Sequence, residues 1–269
     1  STVFNAVLQN LVDQKFPVND DMKEDAATII KQIKSAYKSN YGDNYKDSLN
    51  QALTSAGYKN LSEYRQKMIK QIQYANFLLD YIDDHFDDVF NDYYQQCAPK
   101  YVSLIKISVS DTSSPTDDET SKLNEVKELI SNTDKSFGDI AQDYSNDSTS
   151  SKKGSLGIVD SKDTSGIANS YGKDVFNAIE ALSEGQVSDV ITGDDGYYFV
   201  KVTSTDKKNL KKELKKTDID SPLLAYDDYL QYVVYNSYKI NYKDKDIKKI
   251  VQEVVNKALE ERKTERGEA

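Results

Sequence analysis

The chain has 269 residues, 35 Lys+Arg against 45 Asp+Glu, and a formal net charge of −10. Such an acidic balance argues against nucleic acid as a partner, because phosphate backbones need a basic face. One cysteine, Cys97, and one histidine, His85, exclude a disulfide framework, a zinc site built from four Cys or from paired Cys and His, and any two-histidine catalytic scheme. With 38% hydrophobic residues the composition suits small cores in separate lobes better than one large core. No apolar run approaches the ~18–20 residues of a membrane span. Ser1 in place of Met reads as a processed or truncated start.

In chain order, residues 20–96 read as helical. Ala26, Ile29, Ile30, Ile33 and Tyr37 recur at helical spacing, and a longer stripe runs from Leu61 through Met68, Ile72, Leu79, Ile82 and Val89 to Tyr93. Asn60 followed by Glu63 resembles a capping box. After Pro99 the period changes. Residues 102–109 are short and β-rich and predict a strand. Leu123, Val126, Leu129 and Ile130 predict a short helix, and Phe137, Ile140, Ala141 and Tyr144 a second, before a loop over 145–157. Phe176, Ile179 and Leu182 suggest a third helical turn. Residues 187–192 and 197–203 flank Gly193-Asp-Asp-Gly196, a hairpin signal. Lysines crowd a polar helical segment at 207–216, residues 223–240 are Tyr-rich, and Asp244 caps an amphipathic helix before a charged tail expected to fray.

The fold class expected is therefore α+β, with helical sequence on both sides of a strand–helices–hairpin block. Neither flank carries an obvious core of its own. The economical arrangement is one helical lobe built from residues 1–98 and 205–269, with the α+β domain, 99–204, inserted.

The middle block resembles the parvulin-type peptidyl-prolyl isomerases. The matching segments are FGDIAQDYSND (137–147), KKGSLG (152–157), ALSEGQVSDVI (181–191) and GYYFVKV (196–202), in the family's order and spacing. The flanks SLNQALTSAGYKNLSEYRQKMIKQI (48–72) and NYKDKDIKKIV (241–251) are similar to the helical ends of PrsA foldases, and residues 1–16 to an internal segment of them. The resemblance implies an extracytoplasmic foldase on the outer face of the Gram-positive cell membrane. It would bind unfolded secreted polypeptides through a helical chaperone lobe and be held to the membrane only by a lipid anchor absent from this chain. It implies no cofactor and no metal. Crevices of this kind form between paired protomers, so a homodimer is an expectation as well.

Two departures bear on activity. Active parvulins carry a histidine in the first strand and another in the last; here Leu104 and Tyr198 fall at those positions. Asp147 matches the family's loop aspartate, as a catalytic remnant, although a Ser/Asn/Asp loop explains it equally well as a turn former. Leu156 and Phe176 match the proline pocket, which together with Leu104 and Tyr198 makes a degenerate version of it. Leu104 cannot hydrogen-bond, and Tyr198 is larger than histidine and normally neutral. Isomerisation is therefore expected to be weak or absent, with an active isomerase as the alternative and a purely structural or adhesion protein as a third class.

Elsewhere plainer readings lead. His85 among Asp83, Asp84 and Asp87 reads as a solvated or salt-paired histidine, the aspartate row as a solvated face, and Cys97 as a small junction residue. Tyr226, Tyr229, Tyr232, Tyr235 and Tyr238 recur every three residues and read as core or crevice lining. In a foldase such a crevice is itself the client surface, which makes Tyr226, Tyr229 and Tyr232 its candidates.

Overall fold

The computed structural model describes residues 2–132, 134–215 and 218–268. The elements in order are α1 (Thr2–Lys15), α2 (Asp20–Tyr41), α3 (Tyr45–Ser55), α4 (Leu61–Asp84), α5 (Phe86–Cys97), β1 (Lys100–Ser108), α6 (Asp117–Asn132), α7 (Phe137–Tyr144), β2 (Ser155–Val159), α8 (Ile167–Tyr171), α9 (Lys173–Ala181), β3 (Ile191–Thr192), β4 (Gly196–Ser204), α10 (Lys207–Leu214), α11 (Leu230–Ser237) and α12 (Lys245–Glu265). The fold is α+β, as the pattern predicts. It divides into two compact units: residues 2–85, 218–220 and 227–268 form one, and 86–132, 134–215 and 221–226 the other.

The first unit is helical and draws on both ends of the chain. Met22 and Ala26 of α2 bury against Met68, Ile69 and Ile72 of α4. Phe4 of α1 is fully buried, stacked on Tyr232 at 4.8 Å and set edge-on to Tyr235 at 5.1 Å. Phe77 of α4 stacks on Tyr238 at 5.6 Å. The capping reading of α4 holds, with a change of acceptor-donor pairing: Asn60 accepts from the Glu63 amide, and Glu63 reaches back to the Lys59 amide at 2.7 Å. The charged tail is not frayed. Asp227, whose side chain is 2% exposed, accepts from Arg262 Nε at 2.8 Å and Arg266 Nη2 at 3.0 Å, which anchors the end of α12.

The second unit is built on an antiparallel sheet of order β2-β1-β4-β3. Alternation along β1 decides its two faces. Val102 and Leu104 point with Tyr198 and Val200 toward α8 and α9. Ile105 and Ile107 point with Phe199 toward α6 and α7. The first three residues of β2 lie in the stretch read as loop up to residue 157. It is made by its partner: β1 pairs along Ser155–Val159, and the Leu104 amide bonds to Gly154 O at 2.8 Å. Gly154 sits at φ +74°, and a Cβ there would lie 2.3 Å from Leu104 O, so the close approach of β1 needs glycine.

The helix expected to run unbroken from Leu61 to Tyr93 ends at Asp84. His85 leaves helical geometry at φ −119°, ψ 25°, and its ring stacks on Tyr81 at 4.1 Å. Asp87 and Asp88 open α5, where acidic side chains favour a helix start. This break also shifts the expected division at 98 and 204, because α5 and residues 205–215 group with the sheet unit. Tyr93 donates to the fully buried Asp160 at 2.8 Å, Tyr94 to Thr205 O at 2.9 Å, and Lys211 pairs with Asp87 at 2.9 Å.

Candidate functional site

The chemistry-bearing face is the one shared by β1, β4, α8 and α9. Tyr198 stands on β4, paired in register with Lys106 on β1 and Ile191 on β3. It is 3% exposed, and its ring meets that of Tyr171 edge-on at 6.2 Å. Beside it opens a cleft of about 610 Å³, lined by Tyr171, Val175, Ile191, Thr192, Asp195 and Tyr198 among others. Gly193 makes room for the ring: a Cβ there would lie 2.6 Å from Tyr198 Cε2.

A polar chain crosses this face. The Tyr198 hydroxyl donates to Asp195, and Asp195 in turn accepts from Lys106, whose ammonium also lies 5.6 Å from the Tyr198 ring centre. The Lys106 hydrogen bond, and then that of Tyr198, hold the Asp195 carboxyl below the usual carboxylate range. Burial, and then Asp195, push the Tyr198 phenol up, so it stays protonated and its one hydrogen is committed to Asp195. The Tyr171 hydroxyl reaches Asp147 at 3.5 Å, a long contact, and burial raises its phenol to about 12. Asp147 also accepts from the Thr149 amide at 2.8 Å and from its hydroxyl at 2.6 Å, so it caps the short turn that follows.

Leu104, Leu156, Phe176 and Tyr198 do come together, in one apolar cluster with Val102, Val159, Ile167, Val175, Ile179 and Val200. Their roles differ. Leu104 is fully buried and forms floor rather than wall, and Leu156 and Phe176 pack at the half-buried margin. Tyr198 is the member that lines the open cleft. Asp147 joins through Tyr171. Three participants escaped the sequence reading. Lys106 had a usable signal, since a strand's period of two places it on the same face as Leu104. Asp195 read only as a turn residue, and Tyr171 lies in a stretch without a period.

The tyrosine stripe does not form one surface. Tyr226 belongs to the sheet unit and is 2% exposed. Its hydroxyl donates to Asp92 at 2.7 Å, and its ring meets Tyr93 edge-on at 5.3 Å, so it is core and not crevice lining. Tyr229 and Tyr232 belong to the helical unit, where both are half-buried; Tyr229 donates to Glu265 at 2.6 Å and Tyr232 stacks on Phe4.

Residues 104–204 match the Rotamase family, described as a PPIC-type PPIase domain. The foldase protein PrsA of Staphylococcus epidermidis is 33% identical over 141 residues, covering 50% of this chain and 41% of that protein. The PrsA of Staphylococcus aureus strain MRSA252 is 32% identical over the same length and coverage. The match thus spans about two fifths of the length of these curated relatives. Among solved structures, foldase protein PrsA from Streptococcus pneumoniae aligns with a TM-score of 0.45 at 19% identity, covering 94% of this chain and 88% of the other. PrsA from Bacillus subtilis aligns with a TM-score of 0.41 at 22% identity, covering 90% and 84%.

Proposed function

We propose that this chain, a PrsA-type sequence with a PPIC-type parvulin domain over residues 104–204, is an extracytoplasmic foldase that binds unfolded secreted polypeptides. In this reading it works at the outer face of a Gram-positive cell membrane, through a lipid anchor. The helical unit carries most of the client binding, and the parvulin domain isomerises X-Pro bonds weakly or not at all. No helix among the described residues is long and apolar enough to cross a membrane.

One observation carries the reading of weak activity: the Tyr198 hydroxyl is tied to Asp195 above a fully buried Leu104. X-Pro isomerisation crosses a barrier of ~20 kcal/mol set by lost amide resonance. A catalyst must hold the twisted amide better than either planar form. That takes an apolar seat for the proline ring and polar groups free to follow the amide as it twists. The apolar seat has candidates in Leu156, Phe176 and Tyr198. The polar groups are committed to one another: Lys106 and Tyr198 to Asp195, and Asp147 to its own turn. The competing reading, an active isomerase, draws on the open cleft beside Tyr198.

The two readings separate in a paired measurement on the full chain, X-Pro exchange in a short proline peptide by NMR and suppression of aggregation of an unfolded client. Suppression with little or no exchange enhancement is the expected result. Exchange at the rate of an ordinary parvulin overturns the proposal of a degenerate site, and absence of suppression overturns the foldase reading.

A further inference from the structure

On the helical unit, away from the tyrosines, α2 and α4 border a groove of about 490 Å³. Its floor is apolar: Ala27 and Ile30 from α2 and Leu61 from the first turn of α4. Its rim is cationic: Lys31 and Lys34, one turn apart on α2, and Arg65 across from them on α4. Some lysines elsewhere in this unit are ion-paired, among them Lys23 with Asp20 at 2.9 Å and Lys70 with Asp13 at 2.8 Å. Lys31, Lys34 and Arg65 make no ion pair among the described residues; Arg65 has one long hydrogen bond, to Lys23 O at 3.5 Å. The nearest acid of the α4 first turn, Glu63, is turned back onto the Lys59 amide. The N-terminal end of α4 adds its own partial positive charge. What sets these three cations apart is their grouping around one apolar floor, on a chain of net charge −10.

We propose that this groove binds acidic polypeptide segments carrying branched apolar side chains, the apolar groups entering between the helices and the flanking carboxylates meeting Lys31, Lys34 and Arg65. The proposal rests on the foldase reading and deepens it by naming the chemistry of a preferred client segment. Its size falls within the ~300–1,000 Å³ of ordinary ligand clefts. An anionic lipid surface is the other source of negative charge. Interfacial helices, however, sink a protruding apolar face ~5–10 Å into the headgroup boundary. Here the apolar atoms are recessed: Ile30 is 7% exposed and Ala27 and Leu61 are half-buried, beneath an exposed cationic rim. That geometry admits side chains of a peptide and holds the floor away from a bilayer. Opposite charges around the rim also speed encounter and discriminate against basic segments, and both effects weaken with salt.

The test is fluorescence anisotropy on the full chain with three labelled twelve-residue peptides, Leu alternating with Glu, with Gln or with Lys. The wild type is expected to bind the Glu peptide at least five-fold more tightly than the Lys peptide, with the margin shrinking as salt rises. Lys31→Glu with Lys34→Glu is expected to reverse that order while its unfolding midpoint stays near wild type, since both side chains are exposed. Arg65→Gln, a milder change, is expected to narrow the margin. Equal binding of Glu and Lys peptides, or an unchanged preference in the folded double variant, overturns the proposal. So does binding to phosphatidylglycerol vesicles that the double variant loses, with no peptide preference in the wild type. Suppression of aggregation of an uncharged client is measured beside these. Its retention by the double variant leaves the foldase reading standing whatever the peptides do, and its absence in the wild type removes that reading without touching the peptide result.

Discussion

Placing histidines where the parvulin family has them tests whether the missing polar network limits this domain. Tyr198→His and Leu104→His are not equivalent perturbations here. Tyr198 borders the cleft, so an imidazole at its position has open space beside it, although it is too short to keep the phenol's bond to Asp195. Its main cost is lost ring burial against Tyr171, about 1–2 kcal/mol by apolar-area reasoning. Leu104 is fully buried among Val102, Val159, Val200 and Ile179. Replacing a buried leucine removes packing worth about 2–5 kcal/mol, and an imidazole without a partner there adds about 1–3 kcal/mol. Against a typical total stability of ~5–15 kcal/mol, the single Tyr198 variant should remain folded and the double variant should be marginal. The assay is therefore run cold, with urea unfolding measured first and X-Pro exchange second. Tyr198→His alone is expected to raise exchange modestly. The folded fraction of the double variant is expected to approach the ~10²–10⁴-fold that positioned polar groups commonly provide. A well-folded double variant with no gain over wild type refutes the argument, because then the network is not what the site lacks.

Three further outcomes follow from packing and charge. Glu119 accepts from the amides of Thr116 and Ser110, both at 2.8 Å, and these bonds lower its carboxyl to about 2. A depressed folded value means its stabilising share is present above the unfolded value near 4.5 and lost as pH falls toward 2. Glu119→Gln should therefore flatten the stability profile between those limits, as followed by circular dichroism; an unchanged slope contradicts the assignment. Gly154→Ala should cost about 2–4 kcal/mol in urea unfolding, from left-handed strain and the clash with Leu104 O, and a neutral result would mean β1 can move away. Asp227→Ala leaves Arg262 and Arg266 without their shared acceptor and should cost about 3 kcal/mol, with faster hydrogen exchange at the C-terminal end of α12; uniform exchange along α12 contradicts the anchoring role.

What could be read from the residues alone was what is encoded locally. β1, α7 and the hairpin at Gly193–Gly196 follow from alternation, a Ser136 cap and turn glycines, each a few residues long. β2 was invisible because Ser155-Leu-Gly-Ile-Val becomes a strand only through pairing with β1. The end of α4 at His85 was hidden by an apolar period that continues in α5. At the site, the position of Tyr198 was legible and its surroundings were not. Lys106, Asp195 and Tyr171 come from three separate segments, and only the folded hairpin puts Asp195 against both Lys106 and Tyr198. The every-third tyrosine pattern misled because α11 begins at Leu230, so Tyr226 never shared a helical face with Tyr232.

The helical unit takes residues from the start of the chain and from its end, while the sheet unit is nearly continuous in sequence. A chain made or exported from the N-terminus at ~5–20 residues per second therefore meets its own parts in a fixed order. The sheet unit has most of what it needs well before α12 emerges. Phe4 and Phe77 meet Tyr232, Tyr235 and Tyr238 only after the whole sheet unit has been made. During that interval the nascent protein exposes the same kind of apolar surface that a foldase receives from others. If the foldase proposal holds, a copy already folded nearby would shelter that surface, and maturation of this chain should accelerate as folded copies accumulate. On the same proposal, a truncation ending before α11 should stay open and be bound by the intact protein.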